Sequence, residues 1–200
     1  MLETIVARAP ARLDFGGGWT DVPPYGEEMG GFVCNLAIAR HAVVTLREEG
    51  TPTALLDDLT SAAVRRAKLN GVGVSLTTNF PPGAGLGGSS AVGVALQAAI
   101  GAWREEVPDR ETLARRSRGV EVEELRVAGG WQDHYAAAFG GALGLTFTDR
   151  VDVRALPLDD ALAAELERRC VVAYTGESRI SGATILKSSV RQPESNGKRN

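Results

Sequence analysis

Residues 82–91 read Pro-Gly-Ala-Gly-Leu-Gly-Gly-Ser-Ser-Ala, between a strand-like run at 73–78 and a long apolar helix pattern. A glycine-rich loop entering a helix N-terminus presents unpaired backbone N–H groups and the positive end of the helix dipole, a combination that attracts phosphate. Glycine lets the backbone approach an anion and visit positive φ, which a side chain would oppose. Pro82, Gly83, Ala84, Gly85, Leu86, Gly87, Gly88, Ser89 and Ser90 therefore form the candidate nucleotide-phosphate cradle. The two serine hydroxyls can cap the helix or face a bound Mg²⁺. No Gly-Lys-Ser/Thr occurs, so this is not a Walker A loop. Gly83, Gly85 and Gly88 match Gly-x-Gly-x-x-Gly, but Asn79-Phe80-Pro81-Pro82 intervene, which suits the abrupt turn of a dinucleotide fold badly. A flexible serine-capped turn is the bland alternative, and the loop holds more glycine than a cap requires.

Three further segments carry groups fit for phosphoryl transfer. Arg12 and Asp21 flank Gly16-Gly17-Gly18-Trp19, and Asp21 reads either as a simple Asx turn or as an acceptor for substrate hydroxyls. Asp133, in Gly129-Gly130-Trp131-Gln132-Asp133-His134, falls in the first turn of a short helix, where capping would explain it equally well. Glu121 and Glu123 sit on the preceding helix, as a solvated face or as a source of a metal carboxylate. Transfer to an alcohol needs both a carboxylate for Mg²⁺ and a group that activates the acceptor.

The elements that must position these groups follow from pattern. Residues 4–8 and 11–15 read as two short strands broken by Pro10, and 32–46 as one long strand or a bent pair. Helical spacing covers 57–69, 89–103, 110–125, 132–139 and 159–169. Residues 141–147 and 151–156 read as a hairpin, and 171–174 as a strand. From Lys187 the sequence is polar and aperiodic, a tail expected to be disordered. The mixture is α+β.

Composition narrows the partners. The 200 residues carry 22 basic and 25 acidic side chains, a net charge of −3 without long runs of either sign. That argues against nucleic acid or an anionic membrane as the main partner. No apolar stretch approaches a membrane span, and the Met1-Leu2-Glu3 start lacks the features of a signal peptide. Cys34 and Cys170 read as buried free thiols, and neither His41 nor His134 has neighbours at metal-ligand spacing. The expectation is a soluble cytoplasmic protein.

Together the motifs resemble the GHMP kinases. Arg8-Ala9-Pro10-Ala11-Arg12 through Thr20-Asp21, with Gly30-Gly31-Phe32-Val33 beyond, matches the first family motif. Pro81 through Ala91 matches the second almost residue for residue, and the resemblance covers about residues 4–186. It implies a GHMP kinase fold whose N-terminal domain, residues 1–170, is like domain 2 of ribosomal protein S5. It also implies the beginning of a C-terminal domain at 171–186, followed by the tail at 187–200. By the same resemblance, Asp133 is the base or positions the attacking hydroxyl, and Arg12 is the basic residue beside it. Asp21 binds sugar, with Gly17, Gly18 and Trp19 shaping the pocket. Ser89 and Glu121 hold Mg²⁺, and the loop at 82–90 cradles the phosphates of ATP.

The implied reaction is ATP-dependent phosphorylation of a sugar's anomeric hydroxyl. Phe15-Gly16-Gly17-Gly18, Pro23-Pro24-Tyr25 and Tyr135 through Gly141 favour a heptose 7-phosphate as acceptor, giving the 1,7-bisphosphate. Gly17 through Asp21 and Gly129 through Asp133 pull toward fucokinase-type substrates, and His134 replaces a glutamine usual in the family. No match to the third family motif follows Arg179, so the chain reads as an incomplete kinase, open to self-association. The competing class is a sugar- or nucleotide-binding protein without turnover.

Overall fold

Two long strands carry the sheet. In the computed structural model, which describes residues 4–48 and 57–178, β1 (Thr4–Gly16) runs antiparallel to β2 (Gly31–Glu48). The other edge of β2 is shared. β3 (Val72–Thr78) pairs with residues 42–48, and β4 (Ala142–Phe147) pairs with 31–36. β5 (Val151–Ala155) closes a hairpin with β4, completing a five-stranded antiparallel sheet. Ala42, Val44 and Leu46 are all buried, the period-two signature of one face against a core.

β1 corrects the expected break at Pro10. The strand continues through the proline, and its register against β2 slips between Pro10 and Arg12. Proline has no N–H to donate to a ladder, and a bulge accommodates it. Ala11 and Arg12 are consequently both buried, so the slip turns Arg12 toward the helices instead of solvent.

One face of the sheet is covered by helices. α3 (Gly88–Trp103) lies on β1 and β2, and Ser90 through Gln97 are buried along its length. Its small residues let neighbours approach closely. A Cβ on Gly93 would overlap Ser117 Oγ of α4 (Arg110–Gly119). The chain then makes a π-helical turn, Val120–Glu124, before α5 (Gln132–Phe139). α2 (Asp58–Arg66) packs on α3 and on the π turn. Asp57, Asp109 and Asp159 cap α2, α4 and α6 (Asp160–Arg169) by accepting from the backbone N–H three residues on.

The core has two apolar clusters. One joins Ala9, Ala11, Ala42, Val44 and Leu46 to Ala91, Ala95, Leu96 and Ala99. The other lies under α4 and α5, where Val33, Leu143, Leu145 and Phe147 meet Ala114 and Tyr135.

Four further expectations change. A short helix, α1 (Tyr25–Met29), stands where only a loop was expected. Cys34 is half-buried and Cys170 exposed, so neither is a core thiol. Residues 171–174 form no strand: among the described residues no strand pairs with them, and Val171 is 92% exposed. The helix read over 110–125 gives way to the π turn at Val120. Arg179 and the rest of 179–200 lie outside the described residues.

Candidate functional site

The glycine loop docks on β1 through one arginine. Arg12 N–H donates to Leu86 O at 3.0 Å, and its Nη1 donates to Gly85 O at 2.6 Å. Gly83, Gly85 and Gly87 all hold positive φ, so every second residue of the loop adopts a backbone that side chains resist. At Gly87 a Cβ would also press on Asp133 Cγ and Arg12 Cγ, at 3.3 and 3.4 Å. Loop, arginine and aspartate thus converge on one point.

Gly87 is the N-cap of α3 and no side chain caps that end. The first-turn N–H groups are left without a side-chain acceptor, which corrects the capping role open to Ser89 and Ser90. Ser90 Oγ instead faces His134 Nε2 at 3.4 Å. Ser89 lies close enough to Glu121 to help hold its carboxyl down.

Asp133 sits in the first turn of α5 and meets Arg12 twice, at 2.8 Å to Nε and 2.6 Å to Nη2. The same Arg12 Nε lies 3.0 Å from Asp14 Oδ1. One guanidinium therefore serves two carboxylates and a loop carbonyl, and both carboxylates keep part of their surface open, 29% and 25% of the side chain. Burial pushes the Asp14 carboxyl up to about 6, against the pull of Arg12 and with help from the charges of Asp133 and Asp21.

Asp21 stands deeper, only 2% exposed. Its Oδ2 accepts from the backbone N–H groups of Trp131 and Gln132 at 2.7 and 2.9 Å, capping the start of α5. Its Oδ1 is buried and has no partner among the described residues. Burial raises this carboxyl, and the two backbone hydrogen bonds oppose the shift. A Cβ on Gly130 would overlap the Asp21 carboxylate, so the glycine is a steric requirement of the cap. Asp21 is thus brought to the helix that carries Asp133.

The loop before Asp21 is pinned to β2. Thr20 Oγ1 donates to Gly17 O at 2.7 Å and accepts from Phe32 N–H at 3.1 Å. Gly17 has φ 80°, and a Cβ there would overlap the Phe32 carbonyl. Trp19 follows at φ 77°, a backbone rarely used by large residues, with 44% of its surface exposed. Gly18 is open, and a Cβ on it would find only Asp14 Oδ2 within 4 Å, at 3.9 Å.

The π turn separates the two candidate glutamates. Glu123 points outward to Arg66 Nη1 at 2.8 Å. Glu121 is 9% exposed, its Oε2 lies 3.3 Å from His134 Nε2, and its Oε1 is buried with no partner among the described residues. Burial raises its carboxyl, but hydrogen bonding and charge from His134, with Ser89 and Arg118, hold it below the usual range. Ser117 Oγ reaches His134 Nδ1 at 2.9 Å.

An orphaned buried oxygen beside a serine hydroxyl suits a hard cation, so Glu121 and Ser89 fit Mg²⁺. No group of three or more His, Cys, Asp or Glu capable of holding a metal occurs among the described residues. Such a site would be sparse and completed by phosphate and water oxygens, as Mg²⁺ prefers. Among the described residues no helix is long and apolar enough to cross a membrane.

Asp14, Ser117 and Arg118 escaped the reading of the sequence, which noted His134 without giving it a role in the site. Asp14 was detectable, since it lies two residues from Arg12 on a strand and so on the same face. Arg118 stacks on Trp131, 3.9 Å from the ring centroid, and donates to the carbonyls of Gly129 and Gly130. No spacing rule brings it to that loop.

Comparison with known proteins gives concordant matches. The GHMP kinases N terminal domain matches residues 54–141. A D-glycero-alpha-D-manno-heptose 7-phosphate kinase of Campylobacter jejuni is 30% identical over 89% of this chain, which spans 61% of that relative. The bifunctional fucokinase/GDP-fucose pyrophosphorylase of Arabidopsis thaliana is 27% identical over 89% of this chain, which spans 21% of it. Among solved structures, a D-glycero-D-manno-heptose 1-phosphate kinase from Bacteroides thetaiotaomicron superposes with a TM-score of 0.73 at 27% identity. That match covers 84% of this chain and 63% of the other.

Proposed function

We propose that this chain, whose residues 54–141 match the GHMP kinases N terminal domain, is part of a sugar kinase of that family that transfers the γ-phosphoryl group of ATP to an anomeric hydroxyl. The observation that carries this is the convergence of Arg12, Asp133 and the glycine loop at the uncapped start of α3. The loop N–H groups and the α3 terminus would receive the phosphates. Arg12, tied to the Gly85 carbonyl, fixes the loop relative to Asp133. Asp133 accepts the proton of the anomeric hydroxyl as its oxygen bonds the γ-phosphorus and the bond to the ADP oxygen breaks. Ser89 and Glu121 would hold Mg²⁺, which when bound neutralises phosphate charge.

Gly17, Gly18 and Trp19 would form one wall of the sugar site, with the exposed indole as a surface for a sugar ring. Asp21 acts on that site chiefly by holding the N-terminus of α5, its unpartnered Oδ1 being the atom left for substrate. The leading acceptor is D-glycero-D-manno-heptose 7-phosphate, supported by the relative of 30% identity, with L-fucose as the alternative that the fucokinase match supports.

A coupled assay of ADP release with each sugar tests the reading. In a full-length context transfer to the heptose 7-phosphate is expected, and preference for L-fucose would overturn the leading acceptor. Asp133→Asn should lower turnover roughly 10²–10⁴-fold while leaving ATP affinity nearly unchanged. Near-native turnover would reduce Asp133 to a helix-end residue.

A further inference from the structure

Asp14 has no part in the reaction described above, yet it stands inside the site. Its Oδ1 contacts Arg12 Nε at 3.0 Å, and Arg12 is its one charged partner among the described residues. That nitrogen is also 2.8 Å from Asp133 Oδ1, so the two carboxylate oxygens lie within about 6 Å of one another. Neighbouring hydroxyls of a single sugar can bridge such a span. The second oxygen of Asp14, Oδ2, looks toward the bare Cα of Gly18, where the missing side chain leaves room for a ligand.

A purely structural partner for Arg12 would behave differently. An ion pair formed for stability lowers a carboxyl's pKa, whereas burial pushes that of Asp14 up to about 6. The groups that face it are Arg12 on its own strand, Asp133 on α5 and Asp21 from the loop that follows β1, two negative and one positive. Arg12 is meanwhile shared with Asp133 and the Gly85 carbonyl. A carboxylate that is under-compensated yet keeps a quarter of its side chain open beside Asp133 is a mark of function.

We propose that Asp14 is a second substrate carboxylate, whose Oδ1 fixes Arg12 while Oδ2 accepts a hydrogen bond from a sugar hydroxyl adjacent to the one that Asp133 engages. This rests on the sugar-kinase reading and adds to it a residue that reads the configuration of the acceptor. The ligand class is a polyol presenting neighbouring hydroxyls. Asp14 bears on sugar and not on nucleotide, because the loop is held by Arg12 Nη1 and not by Asp14.

Sugar affinity can be read from tryptophan fluorescence, since Trp19 lies at the proposed pocket. Heptose 7-phosphate and L-fucose serve as probes, and MgATP as the control ligand. Asp14→Asn should weaken sugar binding roughly 10-fold or more, the loss expected for a hydrogen bond to a charged group, and change MgATP affinity less than twofold. In the native protein, affinity for a sugar without an ionising group (L-fucose or the unphosphorylated heptose) should rise as pH increases through about 6. That measurement needs no variant and so stands even if Asp14→Asn folds poorly.

Unchanged sugar affinity in Asp14→Asn, or a flat pH profile in the native protein, overturns the proposal. Equal loss of sugar and MgATP also overturns it, because Asp14 would then act only through Arg12. If the native protein binds none of the sugars, the sugar-kinase reading fails first and this one with it. Native binding with an indifferent variant sinks Asp14 alone.

Discussion

Asp14, with a quarter of its side chain open, and the buried Glu121 are both carboxylates of the site, and their environments drive them in opposite directions. At Asp14 burial wins, and its carboxyl rises from 3.8 to about 6. The native state then binds a proton more tightly than the unfolded chain does. Stability consequently falls as pH rises through that window and is level above it. Glu121 has the reverse sign, because His134, Ser89 and Arg118 outweigh its burial. Its contribution is present above the ordinary carboxylate range and is lost as pH falls through its lowered value. Asp14→Asn should therefore be more stable than the native protein at about pH 8. After discount for the open quarter of the side chain and the lost Arg12 contact, the gain is about 1 kcal/mol. The gain should vanish below about pH 4. Urea denaturation at the two pH values checks this, and a variant less stable at the higher pH would mean that Arg12 compensates Asp14 fully. A residue whose removal stabilises the fold but weakens substrate binding is the usual trade at an active site.

Among the elements, α3 and α4 are the pair whose spacing the site depends on. Gly93 has no room for a side chain, because Ser117 Oγ fills the space while bonding His134 at 2.9 Å. Gly93→Ala should cost roughly 1–3 kcal/mol through overpacking. Ser117→Ala removes the obstructing oxygen and leaves its Cβ at 3.5 Å from the new methyl, an ordinary contact. The double variant should accordingly be less destabilised than the two single losses added together. Strict additivity in a denaturation cycle would show that the helices are not in contact here. The sequence could not announce this contact, since alanine and glycine read simply as apolar helix. It did place α3 and α5 to within a residue, because long apolar patterns and flanking glycines mark helix ends well. The π turn was hidden, as one extra residue in a turn leaves the helical pattern almost intact while it decides which glutamate faces inward. Residues 171–174 show the opposite failure. Their β-branched and apolar composition suggests a strand, but a strand exists only where a neighbour pairs with it.

On the scale of the molecule, the site joins segments that are remote in the chain. Arg12 meets Asp133 across 121 positions, Asp21 meets Trp131 across 110, and Arg12 meets Gly85 across 73. The glycine loop and the acid were legible because each is a compact motif with its own backbone logic. The pairing of Asp21 with the start of α5, and of His134 with Glu121, was not, because no local pattern encodes a contact over such distances. A ligand that bridges these segments must stabilise the whole fold by mass action. At a concentration of 100 times its Kd the gain is about 2.7 kcal/mol. For a chain of this size that corresponds to a rise in Tm of roughly 5–10 °C. MgATP should give such a rise in the native protein, and chelating Mg²⁺ should reduce it. Ser89→Ala combined with Glu121→Gln removes the serine hydroxyl and the orphaned carboxylate charge. The pair should lose most of the MgATP shift and become insensitive to the chelator, yet keep the shift produced by sugar, since Arg12, Asp14 and Asp133 are untouched. Equal loss of both shifts would mean that the substitutions damaged the fold, and a retained chelator response would move the cation away from Glu121.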